Sequence, residues 1–314
     1  MNERVHDAEG VLGDYLLAAT TPSIRYLTLT RLLNVPLDDP QTVAEQESVM
    51  TTGPVPRILA AQTDDGSWRS DNTYYSPKYR STHWSMLLLD ELAVDGSDGR
   101  FRRGASFMLD AAAARLQNRF QRGDLGWSCL GGNIIRYAVH AGLATDPRLE
   151  FYLQYARQDL ANGCCRCAYN GGLACAWGVT RTLWGLAALP PTLRSPALQT
   201  AMDDAVAFLT APGTLVSAVY PTAPDGKVHS LWHRLNFPLF YQADILFTLR
   251  VLADMDALAE PGAQEALGWL AEKRDKNGRW RGSSPFGSRT WSLGHPPETD
   301  RWVTLWAAVL LDEA

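Results

Sequence analysis

The sequence predicts an all-α protein built as a ring of helical hairpins, and three observations carry that expectation. Apolar helical stretches recur along the 314 residues, beginning near Ser23, Lys78, Cys129, Cys175, Pro238 and Asp300. Each is followed by a short turn, an amphipathic stretch and a longer loop, an internal repeat of about 45–65 residues. The six stretches are apolar on most of their circumference, so protein must surround them, while the amphipathic ones can cover them from outside. A closed double ring of six inner and six outer helices meets both demands. A curved open solenoid would leave the inner helices' second face bare. We read residues 1–314 as a single domain of this kind.

The elements follow in order. A helix over roughly 6–19 gives way to TPSIRYLTLTRLL, which Thr21 caps and Pro22 opens as a first-turn residue. Asn34-Val35-Pro36 closes it, and Asp39-Pro40 starts the more polar QTVAEQESVM, which breaks at Gly53-Pro54 and resumes as VPRILAAQ. After the turn TDDGSW come the apolar SPKYRSTHWSMLLLDEL and the polar-faced RFRRGASFMLDAAAARLQ. CLGGNIIRYAVHAG is paired with RLEFYLQYARQDLA, CAWGVTRTLWGLAAL with ALQTAMDDAVAFLT, and FPLFYQADILFTLRVLA with GAQEALGWLAEKR. DRWVTLWAAVLLDE ends the series. The loops before the apolar helices are the long ones, and long structureless loops in a compact domain are usually functional.

Composition narrows the function classes. Hydrophobic residues are 46%, charged residues 20% and the net charge is −5, an ordinary globular balance. With no Lys/Arg run, neither nucleic acid nor an anionic membrane is an expected partner. No apolar run of about 18 residues predicts an integral membrane span. The charged, Gly-broken N-terminus lacks a signal-peptide core, and five cysteines, four of them between Cys164 and Cys175, make a poor disulfide framework. Reduced thiols and a cytoplasmic location are expected. Walker A, G-x-G-x-x-G, G-x-S-x-G and H-E-x-x-H patterns are all missing, so no nucleotide cofactor is expected.

Two short motifs carry a resemblance. QTDDGSW (Gln62 to Trp68) matches the QxxxGxW signature repeated in squalene–hopene and oxidosqualene cyclases, and RDKNGRW (Arg274 to Trp280) matches it with Arg in place of Gln. Together with the helix-pair period, the chain resembles the terpenoid cyclase/protein prenyltransferase superfamily. The resemblance implies an (α/α)6-type toroid with one shared mouth. It further implies a hydrophobic isoprenoid-type substrate undergoing protonation-initiated cyclisation or isomerisation.

On a toroid every inner helix points its N-terminus, with free N–H groups and partial positive charge, at the same rim. Cys129 and Cys175 start neighbouring inner helices, and Cys164, Cys165 and Cys167 lie in the loop between, so the thiols should gather. Helix N-termini favour thiolates, the form zinc binds. Cys129, Cys165, Cys167 and Cys175 are therefore the candidate ligands of a tetrahedral zinc site, with His83 or His233 able to replace one. The alternative is that these cysteines pack as small hydrophobes. The resemblance points the same way as the zinc reading, since protein prenyltransferases and lanthionine cyclases hold zinc at the mouth of such a toroid.

Glu298-Thr299-Asp300-Arg301 resembles the D-x-D-D acid motif of class II terpene cyclases, with Glu298 first and Arg301 last in place of Asp. The resemblance makes Asp300 the proton donor, beside Glu298, with His233 as a further catalytic candidate. The alternative is an ordinary helix cap. His83, Tyr79, Arg80, Trp84, Trp177, Phe240, Tyr241 and Trp302 are the candidate substrate contacts; aromatic faces suit an apolar ligand and attract cations. Tyr75, Lys78, His229 and His295 are expected on the same rim. A second class of function is a zinc–thiolate enzyme centred on the cysteines, and a third is a non-catalytic binding module.

Overall fold

The structure, a computed structural model, describes residues 11–68, 73–124, 126–294 and 298–312. Among these, regular structure is helical apart from two isolated β-bridges, Cys167 with Leu173 and Asn236 with Ser283. The helices are α1 (11–17), α2 (Pro22–Leu27, continued by a π turn Thr28–Leu32), α3 (Pro40–Thr51), α4 (Pro54–Ala60), α5 (Thr82–Glu91), α6 (Gly99–Gln121) and α7 (Ser128–His140). They continue as α8 (Leu149–Ala161), α9 (Ala176–Ala187), α10 (Pro196–Thr210), α11 (Thr214–Ser217), α12 (Ile245–Ala253), α13 (Pro261–Glu272) and α14 (Thr299–Asp312). No described helix is long and apolar enough to cross a membrane.

Local chemistry sets the helix starts. Proline opens α2, α3, α4, α10 and α13, where its missing N–H costs nothing. Asp39, Asp98, Ser195 and Asp244 cap α3, α6, α10 and α12 through side-chain bonds to first-turn N–H groups. Every residue of α5 is buried, whereas α6 buries one stripe of Phe101, Ala105, Met108, Ala112 and Leu116. The apolar stretch is thus buried on all sides and the amphipathic one along a single face. Helix α5 packs on α7, α7 on α9, α9 on α12, α12 on α14, and α14 on α2 and its π turn. Outside them α6 meets α8, α8 meets α10, and α10 meets α13.

The two tryptophan motifs make the same bonds at opposite ends of the chain. Trp68 Nε1 donates to the Ile58 carbonyl and Trp280 Nε1 to the Leu270 carbonyl, both at 2.7 Å and both ten residues back. The Trp68 backbone N–H meets the Thr82 hydroxyl at the start of α5, and that of Trp280 meets the Thr304 hydroxyl on α14. The first motif therefore ties α4 to α5, and the second ties α13 to α14. Gly66 and Gly278 hold the left-handed turns, at φ +88° and +77°. Gln62 Nε2 adds a bond to the Arg100 carbonyl at the start of α6.

The helix start that differs most from expectation is that of α12. The apolar run from Pro238 is not helical, and α12 begins only at Ile245. Asp244 decides this: its carboxylate accepts the backbone N–H of Phe247 (2.7 Å), the backbone N–H of Asn236 (2.9 Å) and Asn236 Nδ2 (2.7 Å). The preceding segment is apolar because it is buried, and periodicity alone does not distinguish a short buried run from a helix. Phe240 and Tyr241 therefore sit on a loop rather than an inner helix.

Helices α7 and α9 approach backbone to backbone. A Cβ on Gly132 would lie 2.4 Å from the Arg181 carbonyl oxygen, and one on Gly185 would lie 2.1 Å from that of Gly132. This close crossing sets the start of α7 against the second half of α9.

Candidate functional site

The N-terminal ends of α5, α7 and α9, together with three loops, enclose a cavity of about 530 Å³. Cys129, Cys165, Cys167 and Cys175 line one wall, and Trp84, Trp177, Tyr75 and Tyr241 line others. His83 closes the inner end, and Lys78, Lys227 and His229 stand nearer the opening. Among the described residues no carboxylate lines it.

The aromatic side is one interlocked set. Tyr75 lies 4.7 Å from Trp84 and stacks on His83 at 6.0 Å; Trp84 is 6.0 Å and Trp177 6.2 Å from Tyr241. Trp84 Nε1 donates to the Tyr75 carbonyl, which fixes the ring edge. Lys78 Nζ hangs over both tyrosines, 5.8 Å from Tyr75 and 5.1 Å from Tyr241, within cation–π range. His83 shares a hydrogen bond between Nδ1 and the Tyr137 hydroxyl (3.3 Å). Burial, helped by the Arg181 cation, lowers its pKa to about 3, so the imidazole is neutral.

The thiol wall is a hairpin, residues 164–175, laid against the start of α9. Cys167 and Leu173 bridge, the Cys175 N–H bonds the Cys164 carbonyl (3.1 Å), and a short 3₁₀ turn Ala168–Asn170 forms the tip. Asn170 clamps the tip to the neighbouring loop, with Nδ2 on the Pro221 carbonyl and Oδ1 accepting the Ala223 N–H. Cys164 and Cys165 hold left-handed backbone at φ +54° and +57°, costly for residues with a Cβ and characteristic of functional sites.

The thiols themselves differ. Burial pushes Cys129 up to about 12 and Cys165 well above the ordinary thiol range. The Cys165 sulfur stays 3.6 Å from the Thr182 hydroxyl. Cys167 runs the other way, lowered to about 6 by a hydrogen bond from the Cys175 thiol and by the backbone N–H groups of Tyr169 and Asn170. Cys175 is raised, by the neighbouring Cys167 thiol and by burial. All five cysteines are free thiols. Among the described residues no three His, Cys, Asp or Glu side chains are grouped as a metal site. No step below runs through a metal.

The remaining candidates lie elsewhere. Glu298 accepts the N–H groups of Thr20 (3.0 Å) and Thr21 (2.8 Å) and pairs with Arg301. Burial alone would raise its pKa, but these donors outweigh burial and hold it low. Asp300 Oδ1 accepts the Gly282 N–H at 2.7 Å. Both carboxylates fasten the last helix to other segments, and neither lines the cavity. His233 is exposed, its Nε2 donating to the Val216 carbonyl.

Tyr79, at φ +70°, is buried behind Trp84 against Phe240 and Phe286, and Arg80 Nε donates to the Arg289 carbonyl. Trp302 stacks on Phe237 at 4.1 Å, beside a small second crevice. His295 lies outside the described residues.

Trp127, Ser128, Tyr169, Tyr220 and Trp232 also line the cavity, and sequence reasoning passed over them. Trp127 had a usable signal, since it ends a long loop just before an apolar stretch. Comparison with family models, curated proteins and solved structures finds no match.

Proposed function

We propose that the chain is an α/α toroid whose mouth binds an apolar small molecule carrying a negative charge. Support for the ring comes from the unbroken succession of inner-helix contacts from α5 to α14 and on to α2, with Glu298 joining the end of the chain to its beginning. That architecture agrees with the resemblance to terpenoid cyclases and protein prenyltransferases carried by the two tryptophan motifs.

The observation that carries the binding role is the cavity lining itself. Its size falls within the ordinary range for small-molecule sites, its walls are aromatic and thiol-rich, and its ionic groups are lysines without a facing carboxylate among the described residues. An apolar body is favoured by the walls and an anionic end by Lys78 and Lys227. Protonation-initiated cyclisation would need an acid at this wall, and Asp300 and Glu298 are engaged outside it.

Titration with 1-anilinonaphthalene-8-sulfonate, an apolar anion, tests the reading. A single site with Kd on the order of 10 μM is expected, and Trp177→Ala should weaken it about tenfold, near 1.4 kcal/mol. Unchanged affinity in that variant would place the probe elsewhere and remove the proposal.

A further inference from the structure

Ser128 opens α7, lines the cavity and bonds its hydroxyl to the Asp159 carboxylate of α8. Among the described residues Ser128 is the one side chain bonded to that carboxylate, and no cation stands beside it. Asp90, Glu91 and Glu298, by contrast, each meet a guanidinium.

Contacts from two further segments hold the pair in register. The Thr182 hydroxyl on α9 donates to the Ser128 carbonyl (3.3 Å) and lies 3.6 Å from the Cys165 sulfur. The Cys165 N–H returns to the Asp159 carbonyl (3.0 Å), through the left-handed backbone of Cys164 and Cys165. The Trp127 carbonyl takes the N–H groups of Leu130 and Gly131, both at 3.0 Å. The N–H groups of Ser128 and Cys129 therefore start the helix with no backbone acceptor among the described residues.

Chemistry narrows what the pair does. A hydroxyl bonded to a carboxylate that no cation neutralises is a nucleophile with its base in place. Free N–H groups beside it suit the single negative oxygen that forms when a carbonyl carbon is attacked. A phosphoryl group would bring several negative oxygens, and Lys78 and Lys227 are exposed at the opening whereas Ser128 is buried. The aromatic walls add an apolar body to the substrate.

We propose that Ser128 and Asp159 form a nucleophile–base pair that hydrolyses an apolar carboxylic ester held in the cavity. The inference rests on the cavity binding apolar molecules. The acid released is an apolar anion, the class of ligand that Lys78 and Lys227 favour.

In the first step Ser128 Oγ attacks the ester carbonyl carbon while its proton passes to Asp159. A carbon–oxygen bond forms, and the carbonyl oxygen takes the negative charge beside the Ser128 and Cys129 N–H groups. As this intermediate collapses, the alcohol oxygen leaves with the proton from Asp159, and Ser128 is left acylated. Water then attacks the acyl carbon and gives a proton to Asp159. Ser128 departs with that proton, and the carboxylic acid is released. One water is consumed per ester.

The test uses the full chain, p-nitrophenyl butyrate, p-nitrophenyl acetate and a fluorophosphonate that labels activated serines. Intact-mass and peptide mapping should find the label on Ser128. The butyrate should have a kcat/KM about tenfold above the acetate, the worth of two buried methylenes. Ser128→Ala should lose the label, and the hydrolysis it keeps measures the background from thiols and lysines. Asp159→Asn still offers Ser128 a hydrogen-bonding partner, so kcat should fall about 10²–10⁴-fold while KM and anilinonaphthalene affinity hold.

No hydrolysis, or hydrolysis indifferent to both variants, with the anilinonaphthalene probe still bound, would make the pair a tether between α7 and α8. That result would overturn the hydrolase and leave the binding role standing. Hydrolysis that needs both residues but proceeds without probe binding, or equal kcat/KM for the two esters, would overturn the apolar substrate.

Discussion

At its N-terminal end helix α5 carries His83 and Trp84 into a wall that holds lysines and thiols, whereas at its C-terminal end Asp90 and Glu91 are buried and each meets a guanidinium. Asp90 lies 3.2 Å from Arg136 Nε and 2.7 Å from His140 Nδ1; Glu91 lies 3.0 Å from Arg250 Nη2. Burial would raise the Asp90 pKa, but Arg136 and His140 outweigh it and hold it at about 2. The stabilisation is complete above about pH 4 and is lost only as pH falls through about 2. Charge is balanced within the chain at one end of α5 and left unbalanced at the other. The balanced end serves stability, and the unbalanced end is where a ligand's charge has a place.

The largest effect expected from that contrast is at the balanced end. Arg250→Ala removes the partner of Glu91 and the guanidinium stacked 3.7 Å over Trp306. A buried carboxylate left alone costs about 3–5 kcal/mol, read by chemical denaturation. Adding Glu91→Gln should recover much of the loss, because the orphaned charge is gone. The anilinonaphthalene affinity of the folded variant should not move. A cost under about 1 kcal/mol would mean that solvent already screens the pair.

A smaller effect that crosses both ends comes from Gly132, one turn beyond Cys129 on α7. In Gly132→Ala the new methyl meets the Arg181 carbonyl oxygen and the Thr182 Cα of α9, at 2.4 and 2.5 Å, so the helices must part. Overpacking of this kind costs about 1–3 kcal/mol. Probe binding should weaken along with stability, since α7 and α9 carry the thiol wall, and the Arg136–Asp90 pair should survive. Unchanged binding would show that the wall does not depend on this crossing.

How far these features could be read from the residues follows from their physics. The Cys164–Cys175 stretch was legible because reactive side chains in a Gly-rich loop before an apolar helix imply an exposed thiol group near a helix start. The alternation of apolar and amphipathic stretches told a helix buried on all sides from one with a solvated face, because that face shows in the period. The hairpin that carries the thiols was not legible: it is held by left-handed Cys164 and Cys165 and by the Asn170 clamp, which leave no mark in the sequence. Glu298 and Asp300 read as an acid motif because nothing in the sequence reveals that Thr20, Thr21 and Gly282 bring backbone N–H groups to them. Arg181, fully buried with Nε and Nη2 on the Gln242 carbonyl, sits in an apolar helix without any sequence mark.

The smallest expected effect sharpens the contrast at the cavity mouth. Lys78 is exposed, and a charge there acts through high-dielectric surroundings, so an anion about 4 Å away gains only about 1 kcal/mol. Lys78→Glu replaces that attraction with repulsion and should weaken 1-anilinonaphthalene-8-sulfonate roughly five- to thirtyfold, by about 1–2 kcal/mol. The neutral analogue N-phenyl-1-naphthylamine should change far less, because it keeps the apolar contacts and lacks the sulfonate. Raising the salt concentration should shrink the difference between the two probes in the unaltered chain, since exposed charges are screened over about 10 Å at 0.1 M. If both probes weakened equally, Lys78 would matter as the cation over Tyr75 and Tyr241 that holds the aromatic wall in place. The mouth's positive charge would then be structural, as the paired charges at the far end of α5 are.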